Sequence, residues 1–211
     1  MIDTYIFDMD GTLIDTEKLY RKFWPMALAQ FGYTMTDEQV LSMRSLGRPF
    51  APIRLKEMFG PELDYAAVRE CRKQLMEAYI DTHGIELKPG CIELLTNLKE
   101  RGLRAAIATA TDLQRTEKYL EMLGLRPYFT EIVCATMVKE GKPSPDIYQY
   151  ACQQLGRDPK QCIAVEDSPN GVLSAYRAGC NVVMVPDQTQ PDEELQKLLY
   201  RKVDSLFELM E

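Results

Sequence analysis

From residue 90 onward, apolar residues along the chain alternate between two rhythms. Cys91, Leu94, Leu95 and Leu98 fall at the 0, 3, 4, 7 spacing of one helical face, and Gly102 follows as a stop. Ala105-Ala106-Ile107-Ala108 is then an uninterrupted apolar run, the pattern of a short strand covered on both faces. The unit recurs. A helix is predicted from about Leu113 to Leu123, stopped by Gly124 and followed by Ile132-Val133-Cys134. Tyr148, Ala151, Cys152 and Leu155 precede Gly156 and the run Cys162-Ile163-Ala164-Val165. Val172, Ala175, Tyr176 and Gly179 precede Val182-Val183-Met184-Val185. Buried strands joined by helices through right-handed crossovers predict a doubly wound, parallel, Rossmann-like α/β sheet.

Tyr5-Ile6-Phe7 reads as the first strand of that sheet, yet the next strand-like run begins only near residue 104. The interval is helically patterned, with Leu19, Phe23, Ala27 and Phe31 on one stripe. A crossover needs only about a dozen residues, so the surplus is expected to form a small helical cap inserted after the first strand. The expected division is a core of residues 1–14 and 87–211 and a cap of residues 15–86, with Lys88-Pro89-Gly90 marking the return. Trp24 is expected inside the cap, and His83 on the surface near the hinge.

Charge and composition then narrow the chemistry. In 211 residues there are 25 Lys and Arg against 32 Asp and Glu, a formal charge of −7. That argues against a grip on nucleic acid, which needs a basic face. With His83 as the one histidine, a multi-imidazole zinc site is excluded. Cys71, Cys91, Cys134, Cys152, Cys162 and Cys180 include no Cys-x-x-Cys pair, and small buried thiols in a reducing compartment are expected. The acidic start MIDTYIFDMDG is unlike a signal peptide, and no apolar run approaches the roughly 18 residues of a membrane span, so a cytoplasmic protein without a membrane partner is predicted. No heptad or apolar stripe calls for a partner chain, and a monomer is expected.

Ligands of an open parallel sheet bind beyond the carboxyl ends of its strands. Asp8, Met9, Asp10, Gly11 and Thr12 follow the first strand, Thr109 the second, and Glu166 and Asp167 the fourth. Lys142, in Gly141-Lys142-Pro143-Ser144-Pro145, lies between the third strand and its helix. Taken singly these residues could be turn formers, and Glu166-Asp167-Ser168-Pro169 could merely cap a helix. Their order places acids, a hydroxyl and a lysine on one rim.

This set resembles the haloacid dehalogenase superfamily of aspartate-nucleophile phosphotransferases over nearly the whole chain. Asp8-Met9-Asp10-Gly11-Thr12 is similar to its first motif, Thr109 to the second, Lys142 to the third and Glu166-Asp167 to the fourth. The insert resembles the helical cap of subfamily I, in the β-phosphoglucomutase-like and phosphosugar-phosphatase branch. The resemblance implies that Asp8 attacks phosphorus and that Asp10 is the general acid and base. It implies Mg²⁺ held by Asp8, the Asp10 carbonyl, Asp167 and Glu166, the last directly or through water; a hard ion suits oxygen ligands. Met9, Asp10, Thr109, Ala110 and Lys142 would surround the phosphate. An acid at position 10 points to phosphate esters, since dehalogenases need no proton for a halide.

The implied activity is a Mg²⁺-dependent phosphatase acting on a small phosphorylated metabolite, a sugar phosphate by the branch it resembles. A phosphosugar mutase is the alternative; Tyr20 stands where β-phosphoglucomutases carry a cap histidine. A receiver-like phospho-acceptor domain is a remote third, disfavoured by the insert and by Asp10. Within the cap, Arg44, Arg48 and Tyr20 are the candidates to meet the rest of the substrate, the arginines through a second anionic or sugar group.

Overall fold

The computed structural model describes residues 2–210. Strands β1 (Thr4–Phe7), β2 (Arg104–Thr109), β3 (Glu131–Cys134), β4 (Cys162–Glu166), β5 (Asn181–Met184) and β6 (Arg201–Lys202) form one sheet in the order β3-β2-β1-β4-β5-β6. Every neighbouring pair is parallel. Side chains alternate across a pleat, so Phe7 and Ile107 join one hydrophobic cluster while Ile6, Ala106 and Ala108 join another on the opposite face. Helices α5 (Cys91–Glu100) and α6 (Leu113–Met122) cover the first face; α7 (Asp146–Leu155) and α8 (Pro169–Arg177) cover the second. The chain winds outward from β1 in one direction through β2 and β3, then returns to add β4 on the other side. The crevice beyond the ends of β1 and β4 is therefore the topological switch point, where such sheets bind ligands.

Between β1 and β2 lie α1 (Glu17–Gln30), α2 (Asp37–Ser42), α3 (Phe50–Phe59) and α4 (Tyr65–His83). They bury a cluster of their own that includes Trp24, Leu28, Val40, Leu55 and Val68. Leu19 and Phe23 of α1, with Met76 and Ile80 of α4, instead belong to the cluster of the sheet. The two linkers run side by side: Ile14 bridges Leu87, the Asp15 amide donates to the Glu86 carbonyl at 2.8 Å, and the Lys88 amide donates to the Leu13 carbonyl at 2.9 Å. At the far end the insert meets the core again, where the Gly47 amide donates to the Lys142 carbonyl at 2.8 Å and the Gly141 amide to the Arg48 carbonyl at 2.6 Å. Gly47 and Gly141 pack backbone to backbone, and a Cβ on either would collide with the other strand of chain.

Three details differ from the sequence pattern. Phe31 is exposed because α1 ends at Gln30, so the helical stripe no longer governs it. Tyr176 is exposed because the buried face of α8 is set by Gly171, Val172, Ser174 and Ala175, which leaves it at the margin. Strand β6 was not anticipated, since Arg201 and Lys202 are polar and exposed and pair only along the backbone with β5. Cys91, Cys134, Cys152, Cys162 and Cys180 are buried and Cys71 is half-buried, all as free thiols. None of the described helices is long and apolar enough to cross a membrane.

Candidate active site

Backbone order alone brings the acids together. Asp8 is the first residue after β1, and its amide donates to the Val165 carbonyl of β4 at 2.9 Å. Glu166 ends β4 and Asp167 follows it. One carboxylate oxygen from each of Asp8, Glu166 and Asp167 falls within a mutual span of 4.8 Å, and all three residues are buried. Lys142 reaches them from the β3–α7 loop: its Nζ donates to Asp8 Oδ1 at 2.5 Å and to Glu166 Oε1 at 2.6 Å, and it is wholly buried. Burial opposes the ammonium charge, but the Asp8 and Glu166 carboxylates overcome it and hold the Lys142 pKa above its ordinary value. The Tyr148 hydroxyl, from α7, donates to the same Glu166 oxygen at 2.6 Å.

Two oxygens of this cluster have no partner. Asp8 Oδ2 and Asp167 Oδ1 are buried without a hydrogen bond. Burial pushes the Asp8 and Asp167 carboxyls well above the usual carboxylate range, against the pull of Lys142 on the one and Arg44 on the other. Unpartnered buried carboxylate oxygens are costly. A set of hard oxygen donors with two lone orphans fits a divalent cation such as Mg²⁺.

Asp10 faces a different environment. Its oxygens accept from the hydroxyls of Thr16 at 2.6 Å, Thr111 at 2.7 Å and Thr109 at 3.4 Å. Thr16 precedes α1 as its N-cap but spends its hydroxyl on Asp10 rather than on the helix amides. The Asp10 side chain is thus oriented by hydroxyls, apart from the buried cluster of Asp8, Glu166 and Asp167. Thr109 also accepts from the Thr111 amide at 3.1 Å, which fixes the turn bearing Ala110.

Above the rim lies a cavity of about 840 Å³ lined by Asp8, Asp10, Ala110, Tyr20, Arg44 and Arg48, among others. The Tyr20 hydroxyl lies 3.3 Å from Thr111 Oγ1. Arg48 is exposed at the cavity wall. Arg44 is buried and fully engaged: Nε donates to Glu17 Oε2 at 3.1 Å, Nη1 to Thr189 Oγ1 at 2.7 Å and Nη2 to Asp167 Oδ2. Sequence reasoning missed Thr16, Glu17, Thr111 and the hydroxyl of Tyr148; each reads as a cap, turn or core residue until the tertiary contact is seen.

Gly171 is a further missed requirement. It lies in the first turn of α8, under the Glu166 carboxylate, and a Cβ there would overlap that carboxylate. The Ser168 side chain caps the same turn by accepting from the Gly171 amide at 3.2 Å. Gly171→Ala is expected to displace Glu166 and to cost about 1–3 kcal/mol of stability. A thermal melt indistinguishable from wild type would contradict this.

The haloacid dehalogenase-like hydrolase family model matches residues 2–179. Hexitol phosphatase A of Escherichia coli is 34% identical over 198 residues, covering 93% of this chain and 89% of that protein. Fructose-1-phosphate phosphatase YqaB of the same species is 32% identical over 183 residues, covering 85% of this chain and 94% of that protein. Among solved structures, a variant of CbbY from Rhodobacter sphaeroides in complex with xylulose-(1,5)bisphosphate is similar with a TM-score of 0.84 and 30% identity, over 99% of this chain and 96% of that one.

Proposed function

Because the chain belongs to the haloacid dehalogenase-like hydrolases, we propose that it is a Mg²⁺-dependent phosphatase that cleaves a phosphosugar monoester through an aspartyl-phosphate. One observation carries the reading: Asp8 stands at the switch point with one oxygen held by Lys142 and the other free of partners. The phosphosugar class is supported by the relatives, whose names specify a hexitol phosphatase and a fructose-1-phosphate phosphatase and, for one solved complex, a xylulose bisphosphate.

In this reading Asp8 attacks phosphorus in line, the ester P–O bond breaks, and the leaving alkoxide takes its proton from Asp10. Water then attacks phosphorus of the aspartyl-phosphate and gives a proton back to Asp10; the P–O bond to Asp8 breaks, inorganic phosphate leaves and the Asp8 carboxylate is restored. The Thr16 and Thr111 hydroxyls keep Asp10 aimed at the leaving oxygen and then at the water. Lys142 sets the direction of Asp8 and stabilises the transferring group, while the amides and hydroxyl of the Met9–Asp10 and Thr109–Ala110 turns hold its oxygens. Asp8, the Asp10 carbonyl, Asp167 and Glu166 would hold Mg²⁺, which supplies positive charge to the transferring phosphoryl group. Residues 15–86 act as the cap that shields the reaction from water, and the six free thiols suit the reducing cytoplasm.

The experiment is a phosphate-release panel of sugar monophosphates with Mg²⁺. With a hexose 1-phosphate, inorganic phosphate should appear faster than hexose 6-phosphate; the reverse ratio would make the chain a mutase. Tyr20 in place of a cap histidine favours the phosphatase.

Metal binding has a separate readout. Relative to the chelated protein, Mg²⁺ at about a hundred times its Kd should add about 2.7 kcal/mol of stability. At this chain length that raises Tm by roughly 5–10 °C. Asp167→Asn should lose most of that shift, and an equal shift in the variant would remove Asp167 from the ligand set.

A further inference from the structure

Two buried arginines in the cavity wall have donor atoms without a partner. Arg72, on α4, is buried, and its guanidinium lies 4.6 Å from the Tyr20 ring centroid and 4.8 Å from that of Trp24. Its Nε has no hydrogen-bond partner, and Nη1 meets only the Met76 thioether at 3.6 Å. Among the described residues, no carboxylate lies within ion-pair distance of it. Arg115, on α6, is also buried; Nε bonds Asp112 Oδ2 at 2.9 Å, but Nη1 is buried and unpartnered. Arg69, one turn before Arg72, lines the same cavity. Burial first, and then repulsion from Arg115 and Arg69, pull the Arg72 guanidinium below its ordinary pKa.

A protein rarely buries a guanidinium unpaired, because desolvation is costly without an anion. The Tyr20 and Trp24 rings beside Arg72 offset part of that cost, and its unpartnered donors remain for a ligand. The position relative to the reaction centre is also defined. The Tyr20 ring beside Arg72 carries its hydroxyl to within 3.3 Å of Thr111 Oγ1, and the Thr111 hydroxyl donates to Asp10. Arg72 and Arg115 thus share one cavity with Asp8 and Asp10, with the Tyr20–Thr111 contact between Arg72 and Asp10.

We propose that Arg72 and Arg115, flanked by Arg69, receive a second anionic group on the substrate, at the end remote from the ester that is cleaved. The proposal rests on the phosphosugar reading and deepens it: the preferred substrates are sugar phosphates with a second phosphate or a carboxylate. Arg44, consumed by Glu17 and Asp167, is not available for that anion. A cavity of about 840 Å³ has room for a pentose or hexose with both groups.

The test compares matched substrates that differ in the tail: fructose 1-phosphate against fructose 1,6-bisphosphate, and glucitol 6-phosphate against 6-phosphogluconate. The wild-type enzyme should favour the doubly anionic member of at least one pair, and which pair responds tells phosphate from carboxylate. Arg72→Gln and Arg115→Gln should each lower that preference, as a ratio of kcat/KM values, by about tenfold to a hundredfold, chiefly through KM. A wild-type ratio near one in both pairs overturns the proposal while leaving the phosphatase intact. So does an equal loss on both members of a pair, the mark of a merely structural arginine. If Arg72→Gln fails to fold by circular dichroism, Arg115→Gln and the wild-type ratios still decide. Release of phosphate from none of the four compounds, with turnover of non-sugar monoesters, removes the phosphosugar reading itself.

Discussion

Asp8→Asn is expected to cut phosphate release by about 10⁴-fold or more while leaving the protein folded. The carboxamide is nearly isosteric with the carboxyl, and its oxygen can still accept from Lys142 in place of Asp8 Oδ1. The fold therefore keeps this buried contact at the site. What is lost is the electron pair that attacks phosphorus, and no neighbour can replace it. Glu166 is tied to Lys142 and Tyr148, and Asp167 to Arg44. Asp10 is held among its three threonine hydroxyls, outside that buried cluster. The variant should also form no acid-stable phosphoenzyme when quenched during turnover of a radiolabelled phosphosugar. Turnover within a few fold of wild type, at equal Tm, would remove Asp8 from the role of nucleophile.

The residues that carry this chemistry in the proposal are largely those at strand ends, and that is why they were legible. A strand buried on both faces is a continuous apolar run, so its end is a sharp change of composition, and Asp8, Glu166 and Asp167 stand at such changes. Lys142 required the motif as well, since a lysine in a loop reads as solvated until its burial is seen. The supporting residues were illegible for a physical reason. Tyr148 lies on the buried stripe of α7, where a ring is explained by packing alone, and its hydroxyl has meaning only once β4 is placed beside it. Arg44, Arg72 and Arg115 sit on or beside helices, where periodicity cannot say whether a long cationic side chain turns outward or folds beneath a neighbour. Strand β6 has no apolar signature because its two residues contribute backbone pairing alone.

Lys142→Met is expected to damage both stability and rate, because one ammonium group neutralises two buried carboxylates. Its Nζ lies 2.5 Å from Asp8 and 2.6 Å from Glu166, all three side chains being almost wholly buried. Methionine approximates the volume of the stem but leaves the acids facing each other, and breaking a buried pair in this way costs about 3–5 kcal/mol. For a chain of this length that lowers Tm by roughly 6–20 °C. The loss should also depend on pH with a definite sign. Lys142 is the group that draws the Asp8 carboxyl downward against burial, so without it the folded-state pKa of Asp8 rises further above its unfolded value. Between those two values the folded variant binds more protons than the unfolded chain, and its stability falls as pH increases. The rate responds in the same direction, since Asp8 attacks only when ionised: the acidic limb of the pH–rate profile should move to higher pH. Loss of the positive charge beside the transferring phosphoryl group should remove a further factor of about 10²–10³ at the plateau. Thermal melts and rates at a series of pH values separate these effects. A variant with unchanged Tm and an unshifted acidic limb would show that Lys142 does not neutralise Asp8.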